Sequence, residues 1–189
     1  MNMRRTLVFM GIVFCFLCCN CNIKQNRIVF YDDFINNTQG DRVYKLDSII
    51  QLSHGENKPL LLWFSADGDQ EDRAFYYHIN SLQKIKEYLL DSMYVYRVLI
   101  NRKTRITDIK SPEMKTLLPV GKNFKTEGSI GIWINRTYFD SLNNMMVVTD
   151  HEFNRLSPCT GVHKFYEDSV TFMNFLRKAK CKYDSLYRR

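Results

Sequence analysis

Beyond residue 21 the 189-residue chain has no apolar run approaching the roughly 20 residues that a bilayer crossing needs. A polytopic transporter is excluded. Proline and glycine are scarce, at 4 and 8 residues, and no repeat or low-complexity block interrupts the chain, which rules out collagen-like, solenoid and disordered classes. One compact core is expected. Charge of one sign is also thin: the net value is +7, and Arg4 and Arg5 in the amino-terminal leader account for part of it. The densest basic group is Arg177, Lys178, Lys180 and Lys182. It falls at the expected end of the last helix, where cations offset the helix dipole, so nucleic acid is not expected as a partner. His54, His78, His151 and His163 lack the spacing that puts two ligands on one face, and there is no serine elbow or phosphate-cradling glycine loop. No metal or other cofactor is expected.

Cysteine is nearly absent from the body of the chain, where only Cys159 and Cys181 occur, yet four cysteines crowd positions 15 to 21. Those four lie in or beside the apolar run LVFMGIVFCFLCC, behind Arg4 and Arg5, which is the layout of a secretory signal. The run's end, FLCCNCN, resembles a bacterial lipoprotein lipobox, in which one cysteine becomes the lipidated first residue of the mature chain. Cys19, preceded by the small residue Cys18, fits best, with Cys21 as the alternative. The resemblance implies export, a lipid bilayer held through an acyl anchor, and a domain facing the periplasm or outer surface, where conditions are oxidising.

The remainder divides into a tether and first strand over residues 22–40 and a domain over 41–189, after the leader of residues 1–21. Arg27 to Tyr31 reads as a strand. From Asp41 the apolar spacing of Val43, Leu46, Ile49 and Ile50 predicts a helix that stops at His54-Gly55. PLLLWF after Lys58 reads as a central strand buried on both faces. One long helix is expected over Gln70 to Leu90, with Phe75, Ile79, Leu82, Ile85 and Leu89 inward, followed by a strand over Tyr94 to Ile100. Ser111-Pro112-Glu113 is a helix start and Pro119-Val120-Gly121 a break. Ile130 to Asn135 and Met145 to Thr149 are read as a hairpin, and the last helix as Tyr166 to about Lys180. This order makes an α/β fold with parallel crossovers and a closing antiparallel pair.

From Asn57 to Arg97 the run NKPLLLWFSADGDQEDRAFYYHINSLQKIKEYLLDSMYVYR, followed by GSIGIWIN, MMVVT and the terminal helix, resembles the exported branch of the thioredoxin-like superfamily. The resemblance implies a three-layer α/β/α sandwich with a mixed central sheet. It also sets Asp69, Gln70, Glu71 and Asp72 in the Cys-x-x-Cys slot ahead of the basic Arg73, and Ile130 at the position of the family's cis-proline. Disulfide exchange needs a thiolate at a helix start and a second thiol to resolve the mixed disulfide. Two carboxylates do neither, although they suit a helix start as caps. The implied activity is therefore non-catalytic: a binding or assembly module for an envelope protein that the sequence does not identify, with no catalytic residue of its own. The alternative is thiol-disulfide exchange through Cys159 or Cys181, as a bridged pair or as free thiols. On residue spacing the two are expected to be unbridged, since a helix over Tyr166 to Lys180 would hold its ends far apart.

Three further readings of the acidic turn and the aromatics belong with these. Asp67, Asp69 and Glu71 alternate like a calcium loop, but His78 stands where the closing acidic residue should be. Asp69 and Asp72 as an acid and base pair would sit exposed at the helix start, where capping accounts for them better. Tyr76, Tyr77, Tyr138 and Phe139 are read as core or half-buried residues rather than as a contact patch.

Overall fold

A computed structural model describes residues 45–66, 68–103, 112–140, 144–166 and 168–187. The leader, the tether, the expected strand Arg27 to Tyr31, the start of the first helix and Asp67 lie outside the described residues. The elements are α1 (Lys45–Glu56), β1 (Leu60–Ser65), α2 (Gln70–Ser81), α3 (Gln83–Ser92), β2 (Tyr94–Leu99) and α4 (Pro112–Leu117). They continue with α5 (Glu127–Ile134), a π-helical turn (Asn135–Phe139), β3 (Met145–Thr149), β4 (Thr160–Gly161), α6 (His163–Tyr166) and α7 (Ser169–Tyr187).

The strands form one mixed sheet in the order β2-β1-β3-β4. β1 runs parallel to β2, with Leu60 opposite Tyr94 and Ser65 opposite Leu99, and antiparallel to β3, with Leu60 opposite Thr149. All six residues of β1 are buried, because a central strand with helices on both faces has no polar side to offer water. Its alternate side chains divide the core. Leu61 and Trp63 pack with Phe75, Ile79, Leu89, Phe172, Leu176 and Tyr183 on one face. Leu60, Leu62 and Phe64 pack with Leu46, Ile50, Ile130, Ile134 and Phe139 on the other. The result is an α/β/α sandwich: α2, α3, α6 and α7 cover one face, and α1, α4, α5 and the π-helical turn cover the other.

Four expectations need correction. The first helix passes through His54-Gly55 and ends at Glu56. Asn57 takes the left-handed turn instead, at φ 51, and its N–H reaches His54 O while the Lys58 N–H reaches Ser53 O. This is the paired closure that usually recruits glycine. The expected single helix over Gln70 to Leu90 is two, broken at Leu82 with φ −89 and ψ 86. Ser81 Oγ donates to His78 O and Asn80 Nδ2 donates to Tyr76 O, so polar side chains compete for carbonyls just before the break. The basic group from Arg177 to Lys182 does not end a helix, since α7 runs on to Tyr187. Lys180 pairs there with Asp184 and Lys182 donates to Arg155 O.

The fourth correction is the largest. Ile130 to Asn135 is not a strand but lies in α5 and the start of the π-helical turn, and the antiparallel partner of β3 on that side is β1. Thr126 caps α5: its side chain accepts from Ser129 N, and Ser129 Oγ accepts from Thr126 N, both at 3.2 Å. Such a reciprocal box fixes a helix start. Gly128 and Gly131, one turn apart, let the helix lie directly on the backbone that leaves β2, where Gly128 N donates to Arg102 O at 3.0 Å. Asn135 is buried, so Asn135-Arg136-Thr137, which has the form of a glycosylation acceptor, is closed to modification in the folded chain. Among the described residues no helix is long and apolar enough to cross a membrane.

Candidate functional site

The parallel strands β1 and β2 end together at Ser65 and Leu99, and open α/β sheets place ligand sites outside the carboxyl ends of such strands. α2 starts just beyond β1. Asp69 is its cap: Oδ1 accepts from Glu71 N at 2.9 Å and Asp72 N at 3.3 Å, and Oδ2 accepts from Asn144 Nδ2. The acidic turn is thus tied to the residue that leads into β3. Gln70 and Glu71 are exposed on the first turn.

Asp72 behaves differently from the exposed carboxylate expected at a helix start. It is only 1% exposed. Its Oδ1 accepts from the Trp63 indole N–H at 3.1 Å, while Oδ2 is buried with no hydrogen-bond partner. Trp63 stands edge-on to Phe75, with centroids 5.5 Å apart, and under the Arg97 guanidinium at 5.4 Å. Arg97 Nε in turn donates to Ser65 Oγ at 3.0 Å. Burial pushes the Asp72 carboxyl above the ordinary carboxylate range and the nearby Asp69 adds to the rise, against the opposing influence of Ser65, Arg97 and Trp63.

An open cleft of about 520 Å³ adjoins this carboxyl. It is lined by Glu71, Asp72 and Ala74 from the first turns of α2, by Asn144, and by Val162, His163 and Tyr166. The Tyr166 ring stacks on His78, with centroids 5.5 Å apart and planes 19° apart. The volume is in the range of small-ligand sites.

The other residues singled out in the sequence do not join this cleft. Ile130 is fully buried in α5, among side chains on the opposite face of the sheet from Trp63 and Phe75. It does not face the acidic turn. The residue that stands ahead of β1's antiparallel partner and against Asp69 is Asn144, and no described peptide bond is cis. Cys159 and Cys181 are free thiols, one half-buried and one exposed. Burial pushes the Cys159 thiol up, with Arg155 opposing. Of the four aromatics, Phe139 is buried, Tyr76 and Tyr138 half-buried, and Tyr77 exposed at 71%. Among the described residues no group of three or more His, Cys, Asp and Glu side chains is placed to hold a metal ion. Asp67, the first position of the calcium-like alternation, is outside the described residues.

Asp69 was readable as a cap because capping is local. Trp63, Asn144, His163 and Tyr166 were not readable as site residues, since distant elements bring them together. No family model matches the chain, and no curated protein matches it.

The orphaned oxygen of Asp72 leads to a stability prediction. An acid whose folded-state pKa is raised favours the native state most when protonated, and that contribution is lost as pH rises through the raised value. Asparagine keeps an acceptor for Trp63 and carries no charge to desolvate. Asp72→Asn is therefore expected to stabilise the protein by about 1 kcal/mol near pH 8 and by little near pH 4. Urea unfolding at the two pH values checks this; a constant difference between variant and parent would refute it.

Proposed function

We propose that the chain is an exported, lipid-anchored, thioredoxin-like domain of the cell envelope that binds a partner protein and does not exchange disulfides. The observation that carries this reading is the state of the slot at the start of α2. Asp69 is committed to capping and to Asn144, Asp72 is bonded to Trp63, and no thiol among the described residues lines the cleft beside them. Carboxylates cannot attack a disulfide.

The thioredoxin-like part of the reading is supported by the mixed sheet, by a slot that directly follows its buried central strand, and by Asn144 facing that slot. The position that the resemblance gives to the cis-proline is then held by Asn144, not Ile130. The anchor is supported by the basic leader, its short apolar run and the cysteine cluster ending near Cys19. Catalysis through the remaining cysteines is disfavoured by Cys159 itself, because a nucleophilic thiol needs a lowered pKa and burial does the opposite.

The detergent-solubilised full chain is expected to leave insulin disulfides intact under conditions where an authentic thioredoxin reduces them. Turnover that disappears in Cys159→Ala or Cys181→Ala would overturn the non-catalytic reading. Cys19→Ser is expected to abolish acyl labelling and release the protein from membranes. Persistent labelling, lost only in Cys21→Ser, would move the anchor to the alternative site.

A further inference from the structure

We propose that the turn from Pro119 to Lys122 and the outer side of α5 form a surface that lies on an anionic phospholipid bilayer. This deepens the lipid-anchored reading and rests on it: the acyl chain brings a bilayer within reach, and the surface sets which way the domain faces it.

Val120 stands clear of the protein. It is fully exposed, more so than any other large apolar side chain among the described residues. A turn holds it out: the Lys122 N–H donates to Pro119 O at 3.2 Å, and Gly121 takes φ 79, the positive angle that a type II turn asks of its third residue. One exposed valine is ordinary on a protein surface, and what distinguishes this one is its setting.

Phe124, Trp133 and Tyr138 are half-buried and form a row, with centroids 5.6 Å apart from Phe124 to Trp133 and 5.7 Å from Trp133 to Tyr138. The Tyr138 hydroxyl donates to Leu117 O at 2.9 Å, which ties the row to the segment that leads into the turn. Ile132, next to Trp133 on α5, is 37% exposed. Half-buried rings with a polar tip suit the headgroup level of a bilayer, where tryptophan and tyrosine concentrate.

The charges give the sign of the bilayer. From Met114 to Asp140 the exposed charged residues are Lys115, Lys122, Lys125 and Arg136 against the single acid Asp140. Glu127, the other acid of that stretch, is half-buried and paired with Arg102 at 3.6 Å. Lys122 Nζ lies over the Phe124 ring at 5.9 Å, so cation and aromatic share one surface. An acidic protein would also answer these charges. A tip that projects past its neighbours, however, covers little area against a protein face, whereas a bilayer takes in a protruding apolar residue without a fitted pocket.

The test reconstitutes the full-length protein into vesicles of phosphatidylcholine, alone or mixed with phosphatidylglycerol, made with lipid brominated near the headgroup end of its acyl chains. The chain has two tryptophans. Trp63 is fully buried on the other face of the sheet, so bromine quenching reads Trp133, with Trp133→Phe as the blank. Trp133 emission is expected to be quenched and blue-shifted in the anionic vesicles, little changed in the neutral ones, and restored by high salt. Each cation near an anionic leaflet is worth about fivefold in partitioning. The double change Lys122→Glu with Lys125→Glu, at exposed positions, should therefore lower the population lying on this surface about tenfold or more, and Val120→Asp should act in the same direction. Flotation of the same samples reads the anchor separately. Attachment to both vesicle types with Trp133 unquenched sinks the surface and keeps the anchor, and is the result that an acidic protein partner predicts. Attachment to anionic vesicles alone with Trp133 quenched sinks the anchor and keeps the surface; attachment to neither sinks both. Equal quenching in neutral and anionic vesicles, or quenching unchanged in the lysine variant, would overturn the proposal.

Discussion

Trp63→Ala is expected to destabilise the domain by roughly 4 kcal/mol, a large share of the 5 to 15 kcal/mol that typically separates folded from unfolded chains. The side chain is fully buried at the centre of one core face. Its removal deletes the edge contact with Phe75 and the surface beneath Arg97. It also takes from the buried Asp72 carboxylate the indole N–H that its Oδ1 accepts from. Trp63→Phe separates these losses, because it restores most of the packing and none of the donation; about 1 to 3 kcal/mol should remain. Combining Trp63→Phe with Asp72→Ala should then cost less than the two single changes added, since either alone leaves the other partner orphaned. Denaturant melts of the four proteins measure the coupling, and strict additivity would mean that the indole and carboxylate do not act as a pair.

Gly128→Ala is expected to cost about 3 kcal/mol, at the upper end for one added methyl group. A Cβ at this position would lie 2.7 Å from Arg102 O, 2.8 Å from Ile100 O and 2.9 Å from Arg102 N. All three are backbone atoms that cannot rotate aside. Gly131→Ala meets one side-chain atom that close, Val98 Cγ1 at 2.7 Å, and no backbone atom nearer than 3.8 Å, so its cost should be smaller, about 2 kcal/mol. Gly55, inside α1 with nothing within 4 Å of its would-be Cβ, gives the opposite sign: alanine there should stabilise by about 0.5 to 1 kcal/mol. If Gly128→Ala and Gly131→Ala prove equally mild in chemical denaturation, α5 does not sit against the β2 exit as described.

Those glycines also explain where sequence reading failed. PLLLWF, YVYRVL and MMVVT were readable as strands because each is a compact apolar or alternating run, and Leu46, Ile49 and Ile50 mark a helix by their spacing. GSIGIWIN has the same look as the strands. A short apolar run rich in isoleucine does not distinguish strand from buried helix by periodicity. The deciding signals are the Thr126 and Ser129 box and two glycines one turn apart. The break at Leu82 carries neither glycine nor proline, and its only local mark is the polar pair Asn80-Ser81 just before it.

In the site, the cap was legible and the burial was not. Asp69 acts on amides two and three residues away, a relationship that spacing contains. Whether Asp72 faces water depends on Trp63 across the sheet surface and on the chain after β4. The reading of both carboxylates as exposed followed from treating a helix start as if nothing packed over it.

The position of β1 sets the tempo at which this molecule can fold. Its parallel neighbour β2 arrives early, but β3, which closes its other side, comes only after two further helices have been made. Phe172, Leu176 and Tyr183 of α7 come later still. Contacts so distant along the chain slow folding, because loop closure precedes any gain from pairing. A nascent chain lacking α7 would leave Trp63 and Phe75 without the aromatic and aliphatic side chains that cover them. Until α7 has been made the domain has no complete core, and the half-built sheet is in the state most open to chaperones and to aggregation.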